Sequence, residues 1–288
     1  REHFQQVKPM MECFEFFLGK YPFWDDGYAL VETPYLGMEH QSAIAYGNDY
    51  LPGYHGSLGY SGGLEFDYII IHETGHEWWG NSITTNDIAD MWIHEGFCTY
   101  SEALYVECMY GYDQMLDYVN NQKRFIRNNS PIVGHYHVNH QGSGDMYQKS
   151  SVMLHTLRTL IEDDELWFSI IREISDKFKY KTINASEIMD FIMQRTEKDL
   201  TVFFSQYLNN SDLPEFQYQL IKEGRNTTIK YRWEAIEGFD MPLLVNYSNK
   251  DFWIYPNNSW QEMSLGKIDS REFSVKEELF LLDIKKVK

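Results

Sequence analysis

Three cysteines are too few to staple a chain of 288 residues. Cys13, Cys98 and Cys108 fit neither zinc-ribbon nor redox spacing, so the expectation for all three is small buried side chains. No apolar run reaches the roughly 18 residues that a membrane-spanning helix needs. No secretory leader, internal repeat or low-complexity tract is recognisable. Positive charge is scarce, with 25 Lys and Arg against 43 Asp and Glu and a formal net charge of −18. Such a chain would be repelled by a phosphate backbone, which excludes nucleic acid as a partner. What is present is a globular composition, 43% hydrophobic and 16% aromatic. It is long enough for one large domain with a real core and a smaller second one.

The hydrophobic pattern changes period once. Phe4, Val7, Met10, Met11, Phe14, Phe17 and Leu18 recur at three and four, which predicts an amphipathic helix ending at Gly19. Short strands are expected at 28–33 and 42–46, and a long glycine- and proline-bearing loop at 47–63. Helices are predicted at about 64–80, 91–110, 112–127 and 145–161, then at 165–180, 186–196 and 200–208. Asn184 and Glu187 form a capping pair before the penultimate one. At Asp212-Leu213-Pro214 the period falls to 2. Strands alternate through Phe216, Tyr218 and Leu220, turn at Glu223-Gly224-Arg225-Asn226, and return through Ile229, Tyr231 and Trp233. Four more follow, at 243–246, 252–255, 261–265 and 279–284. The expected class is α+β: a mainly helical domain over 1–212 and a small β-sandwich over 213–288.

The chemistry concentrates between Ile69 and Glu102. His72-Glu73-Thr74-Gly75-His76 puts two imidazoles four residues apart, on one helix face, where they can grip one ion. A third, anionic ligand is expected, and Glu95 opens the next predicted helix. Two His and one Glu, with a fourth position left to water, make up a catalytic zinc site. Glu73 points to a neighbouring sector and is free to act as base. Glu102 lies seven residues after Glu95, on the same face, where it could bond a metal-bound imidazole from behind. Tyr147 is a candidate donor to the developing oxyanion, one of 21 tyrosines on spacing alone. His135, His137 and His140 are read as loop residues rather than a second metal site. Residues and spacing thus predict a zinc hydrolase and leave its substrate open.

His72-Glu73-Thr74-Gly75-His76-Glu77-Trp78-Trp79-Gly80-Asn81, followed by Trp92-Ile93-His94-Glu95-Gly96-Phe97, resembles the gluzincin aminopeptidases, the family of aminopeptidase N and leukotriene hydrolase. Gly37-Met38-Glu39-His40 resembles their exopeptidase signature, and Asp145-Met146-Tyr147-Gln148-Lys149-Ser150 their Tyr-x-Lys-Gly segment. The order of the motifs also matches, and the likeness covers nearly the whole chain. The resemblance implies a thermolysin-like catalytic domain with one Zn²⁺ held by His72, His76 and Glu95. It implies Glu73 as general base and acid and Tyr147 as stabiliser of the tetrahedral intermediate. Gly37, Met38 and Glu39 would bind the substrate, with Glu39 pairing with the free amino terminus of a peptide. His40, His94 and Ser150 depart from the family's usual Asn, Asn and Gly.

The function expected is removal of N-terminal residues from peptides. The alternatives are an inactive relative serving as a binding module, a thermolysin-like endopeptidase or an epoxide hydrolase. The opening Arg1-Glu2-His3-Phe4 reads as the interior of a longer protein. An exported, periplasmic bacterial location is slightly favoured over a cytoplasmic one.

Overall fold

A computed structural model describes residues 2–224, 226–266 and 272–287. The chain forms two compact units, Arg1–Lys198 and Asp199–Lys288.

The first unit is built on helices. α1 (Val7–Leu18) turns Met10, Cys13, Phe14, Phe17 and Leu18 inward, as its period predicts. A small mixed sheet follows, of β1 (Ala29–Glu32), β2 (Gly37–Met38) and β3 (Ala43–Tyr46). Within it β3 runs parallel to β1 and antiparallel to β2. α2 (Tyr68–Gly75) is shorter than the predicted 64–80 at both ends. Its start is fixed by Asp67, whose carboxylate accepts from Ile69 N and Ile70 N and also from Tyr46 Oη and Asn48 Nδ2. Past Gly75 the chain tightens: Glu77 N bonds Thr74 O and Trp78 N bonds Gly75 O, three residues back rather than four.

β4 (Ile83–Thr85) leads to α3 (Trp92–Tyr110), then α4 (Tyr112–Gln122), α5 (Gln148–Ile161) and α6 (Asp164–Lys177). β5 (Lys181–Ile183) pairs parallel with β4, and α7 (Ala185–Thr196) starts with the expected Asn184–Glu187 capping box. α3 is the axis of the unit. Fourteen of its residues are buried, on every face, because α1, α2, α4 and α5 surround it. Two glycines let the partners approach. A Cβ on Gly75 would lie 2.8 Å from Cys98 Sγ, and one on Gly96 would lie 2.4 Å from Ser150 Cβ. One expectation is corrected here. Cys13 and Cys108 are not separate buried thiols; they form a disulfide joining α1 to the end of α3. Only Cys98 keeps its thiol, and it is buried.

The second unit begins with α8 (Thr201–Asn209), so the expected boundary at 212/213 falls inside it. The reason is where α8 packs: Tyr207 Oη donates to Leu281 O at 2.6 Å, and Gln206 Oε1 accepts from Ile236 N. β6 (Glu215–Glu223), β7 (Asn226–Glu234), β8 (Leu243–Tyr247), β9 (Lys250–Ile254), β10 (Gln261–Gly266), β11 (Phe273–Val275) and β12 (Asp283–Lys286) form two sheets. Their orders are β10-β7-β6-β12 and β11-β8-β9. β7 alternates cleanly, burying Thr227, Ile229, Tyr231 and Trp233. The sheets meet through rings such as Tyr218 and Phe273, 5.3 Å apart. Glu223 faces Asn226 in the ladder; Arg225, in the turn expected between them, lies outside the described residues. The last strand comes later than 279–284, because Phe280 and Leu281 bury themselves as a link rather than alternate. The overall class is α+β. Among the described residues, no helix is long and apolar enough to cross a membrane.

Candidate active site

His72 and His76 lie at the end of α2, and Glu95 on the first turn of α3, where the Gly75–Cys98 contact draws the two helices together. Glu95 Oε2 stands 3.6 Å from His72 Nε2 and 3.3 Å from His76 Nε2. Which nitrogen of each ring holds the proton follows from the opposite side. His72 Nδ1 lies 2.6 Å from Glu102 Oε1, and His76 Nδ1 lies 2.9 Å from Trp79 O. A carboxylate and a carbonyl can only accept, so both Nδ1 atoms donate and both Nε2 atoms present lone pairs.

Three electron-rich atoms therefore converge in a buried space, and Glu95 Oε2 has no hydrogen-bond partner. A proton shared between imidazole and carboxylate would draw them to about 2.7–2.9 Å with aligned geometry. At 3.3 and 3.6 Å, without a bond, the three atoms are arranged to surround a cation. The donor set, two imidazole nitrogens and a carboxylate, suits zinc. The carboxylate of Glu39 joins this group: its oxygen and ligand atoms of His76 and Glu95 all lie within 4.8 Å of one another. Cys98 Sγ is equally near His72 and His76. It donates to His72 O at 2.8 Å and packs against Gly75, so it belongs to the helix contact rather than to the ligand set.

The surrounding shell is built as tightly. Tyr118 Oη donates to Glu102 Oε2 at 2.5 Å, so both oxygens of the carboxylate behind His72 are engaged. Tyr68 stacks on the His72 ring at 5.5 Å. Glu73 is 8% exposed, and burial pushes its carboxyl above the usual range. The Tyr147 ring lies 6.1 Å from that of His72, at the start of α5, where the Gly96–Ser150 contact holds this turn against α3. Burial raises the Tyr147 hydroxyl well above its ordinary pKa, so it stays protonated and can donate. Gly37 closes over Glu73: a Cβ there would lie 2.8 Å from Glu73 Oε1. Met38 is exposed at the adjoining strand edge.

His94 takes no part in the donor set, since its Nε2 accepts from Thr85 N at 3.0 Å. Burial pushes it down to about 4, which keeps it neutral. The His135 and His140 rings lie 4.6 Å apart, tilted, in their loop, while exposed His137 lies beside Asp87. His72, His76, Glu95 and Glu39 thus lie together, with Glu73, Glu102 and Tyr147 around them, while His135, His137 and His140 lie in their own loop.

One side chain with a part in the site carried no expectation. Glu77 is fully buried, and its carboxylate accepts from Ser42 N at 2.8 Å and Tyr21 Oη at 2.8 Å. It ties the loop carrying Glu39 to the turn that follows His76. Its only signal in the sequence is a charged residue beside a ligand, in a motif otherwise rich in tryptophan.

Comparison with known proteins agrees with this geometry. Residues 3–207 match the Peptidase family M1 domain. Human endoplasmic reticulum aminopeptidase 2 is 26% identical over 191 residues, covering 62% of this chain and 19% of that protein. Human aminopeptidase B is 23% identical over 140 residues, covering 44% and 22%. The chain thus spans about a fifth of the length of these relatives. Among solved structures, Legionella pneumophila aminopeptidase A in complex with aspartic acid superposes with a TM-score of 0.73 at 15% identity, over 98% of this chain and 34% of that one. A Deinococcus radiodurans M1 zinc metallopeptidase mutant, bound to a Tyr-Ser-Ala substrate, gives 0.58 at 17% identity, over 73% and 45%. These two show likeness of fold. With the family match spanning most of the chain, and the metal-binding geometry lying within the matched residues, this chain belongs to peptidase family M1.

Proposed function

We propose that the chain is the catalytic part of a zinc-dependent aminopeptidase that removes N-terminal residues from peptides. In this reading the first unit is a thermolysin-like catalytic domain, the second a β-sandwich, and one Zn²⁺ per chain is held by His72, His76 and Glu95. The observation that carries it is the buried, unpartnered Glu95 oxygen facing two Nε2 lone pairs, with the Glu39 carboxylate alongside. Zinc, when bound, supplies Lewis-acid activation of water and of the scissile carbonyl.

The chain's own residues do the rest. Glu73, with its raised proton affinity, takes a proton from the attacking water and passes it to the leaving amine. Tyr147 donates its hydroxyl proton to the oxygen on which negative charge develops, a contact worth about 3 kcal/mol. Glu39 pairs with the substrate's free ammonium, and so sets the cut one residue from the chain end. Gly37 and Met38 offer the strand edge along which the substrate backbone lies. Glu102 and Trp79 O fix the two imidazoles. An exported location is supported by the Cys13–Cys108 disulfide, a bond that persists in oxidising compartments.

The test is hydrolysis of a panel of aminoacyl arylamides by the full-length protein, abolished by chelator. Glu73→Gln should keep its zinc and lose roughly 10²–10⁴-fold in kcat; full activity with zinc bound would overturn the mechanism. Equal cleavage of a peptide and its N-acetylated form would overturn the role of Glu39.

A further inference from the structure

A cavity of about 900 Å³ opens beside the site. His72, Glu73, Gly37 and Tyr147 line it, whereas His76, Glu95 and Glu39 do not. It therefore extends from the His72 side of the donor group. A peptide whose amino end sits at Glu39, with its first carbonyl between the two imidazoles, must send the residues beyond the cut into this space. That volume is at the upper end of the roughly 300–1,000 Å³ typical of small-molecule sites.

Its lining includes Arg124 and Arg127, both exposed. The chain carries 43 acidic and 25 basic residues. Arg158, Arg195 and Arg232 each have a carboxylate within 4 Å. Arg124, Arg127 and Arg172 have none among the described residues; Arg172 donates to Phe16 O, and Arg124 makes a 3.4 Å bond to Asn121. One carboxylate nearby, Asp145, is occupied with backbone instead, accepting from Arg127 N at 2.9 Å and Asn128 N at 2.7 Å. It thereby anchors the arginine segment to the turn that carries Tyr147, while leaving the guanidinium unpaired. Phe125 stacks on Tyr60 at 4.5 Å and stiffens the wall between the two arginines.

We propose that this cavity selects peptides bearing a carboxylate beyond the scissile bond, bound by Arg124 and Arg127. The inference rests on the aminopeptidase reading above. Two groups supply that chemistry: an acidic side chain in the second residue, or the C-terminal carboxylate of a short peptide. Guanidinium groups recognise either through paired N–H donors.

The test uses the full-length protein and two substrate pairs sharing the N-terminal residue X that the arylamide panel finds best. X-Glu-Ala-amide against X-Gln-Ala-amide reports the side chain; X-Ala-Ala as acid against amide reports the chain end. The expected result is a kcat/KM ratio of about tenfold in favour of the carboxylate in at least one pair, equivalent to ~1.4 kcal/mol. The ratio should shrink with added salt and fall below about twofold, on the same 1.4-kcal-per-decade scale, in the Arg124→Met/Arg127→Met double variant. Arg127→Glu should raise the relative rate on X-Lys-Ala-amide. That gain cannot come from misfolding. Ratios near one in both pairs, or a preference surviving in the double variant, overturn the inference alone. Turnover of none of the peptides removes the aminopeptidase reading and this inference with it.

Discussion

Replacing Glu102 by glutamine tests how its charge supports metal binding. The carboxylate accepts from His72 Nδ1 at 2.6 Å and from Tyr118 Oη at 2.5 Å. Glutamine keeps the shape. Its carbonyl oxygen can face His72, and its amide can donate to Tyr118, whose hydroxyl turns from donor to acceptor. The buried Tyr118 hydroxyl hydrogen then loses its acceptor, so the metal-free protein should lose up to the roughly 1–3 kcal/mol of one unsatisfied donor. What is lost is the charge. A hydrogen bond to a charged group contributes about 1.5–3 kcal/mol net, against about 0.5–1.5 for a neutral one. The difference, about 1–1.5 kcal/mol, corresponds to roughly tenfold weaker metal binding. This is the low end of the 10–100-fold seen when such outer partners are changed. Glu102→Leu is the contrast: it orphans both donors at about 1–3 kcal/mol each and should destabilise the fold further. Competition with a chromophoric chelator gives the zinc Kd, and thermal melts of chelated protein give stability. Glu102→Gln binding zinc as tightly as wild type, or losing stability instead of affinity, would refute the reasoning.

Three further outcomes follow from the packing. Gly96→Ala places a Cβ 2.4 Å from Ser150 Cβ and should shift the turn bearing Tyr147; a displacement near 1 Å lowers kcat by up to about 100-fold, with zinc content unchanged, and Ser150→Gly should restore much of it. Wild-type kcat in Gly96→Ala would count against this. His155 is fully buried with neither ring nitrogen bonded, and burial pushes it down to about 3. The unfolded chain binds the proton first, so its contribution is full above about pH 6.5 and is lost as pH falls from there towards 3. Between pH 6.5 and 5, wild type should lose roughly 2 kcal/mol more than His155→Leu in urea unfolding; parallel curves would contradict it. Cys13→Ser/Cys108→Ser opens a cross-link between residues 95 apart, and should cost roughly 2–5 kcal/mol, read as a lower melting temperature.

What could be read from the sequence was whatever repeats along one element. His72 and His76 share a face because of the helical period, and Glu95 and Glu102 share theirs for the same reason. The structure places all four around one space. What could not be read depends on which elements touch. The Cys13–Cys108 bond joins residues whose spacing carries no signal, because it depends on α1 lying along α3. α8 has helical periodicity, but periodicity does not say which unit the helix packs on. α2 ends before the predicted position because the apolar pattern runs on through Trp78 and Trp79, while the backbone has already tightened into turns. His94 sits beside a ligand in the sequence, yet one turn of backbone aims it at Thr85.

In the proposed aminopeptidase, the bonds of Glu77 bear on how faithfully the cut is placed one residue from the chain end. Because its carboxylate clasps Ser42 N from a position one residue after His76, the Glu39 loop and the metal-binding helix share a mounting. In such an enzyme this shared mounting would hold the gap between Glu39 and the metal ligands constant.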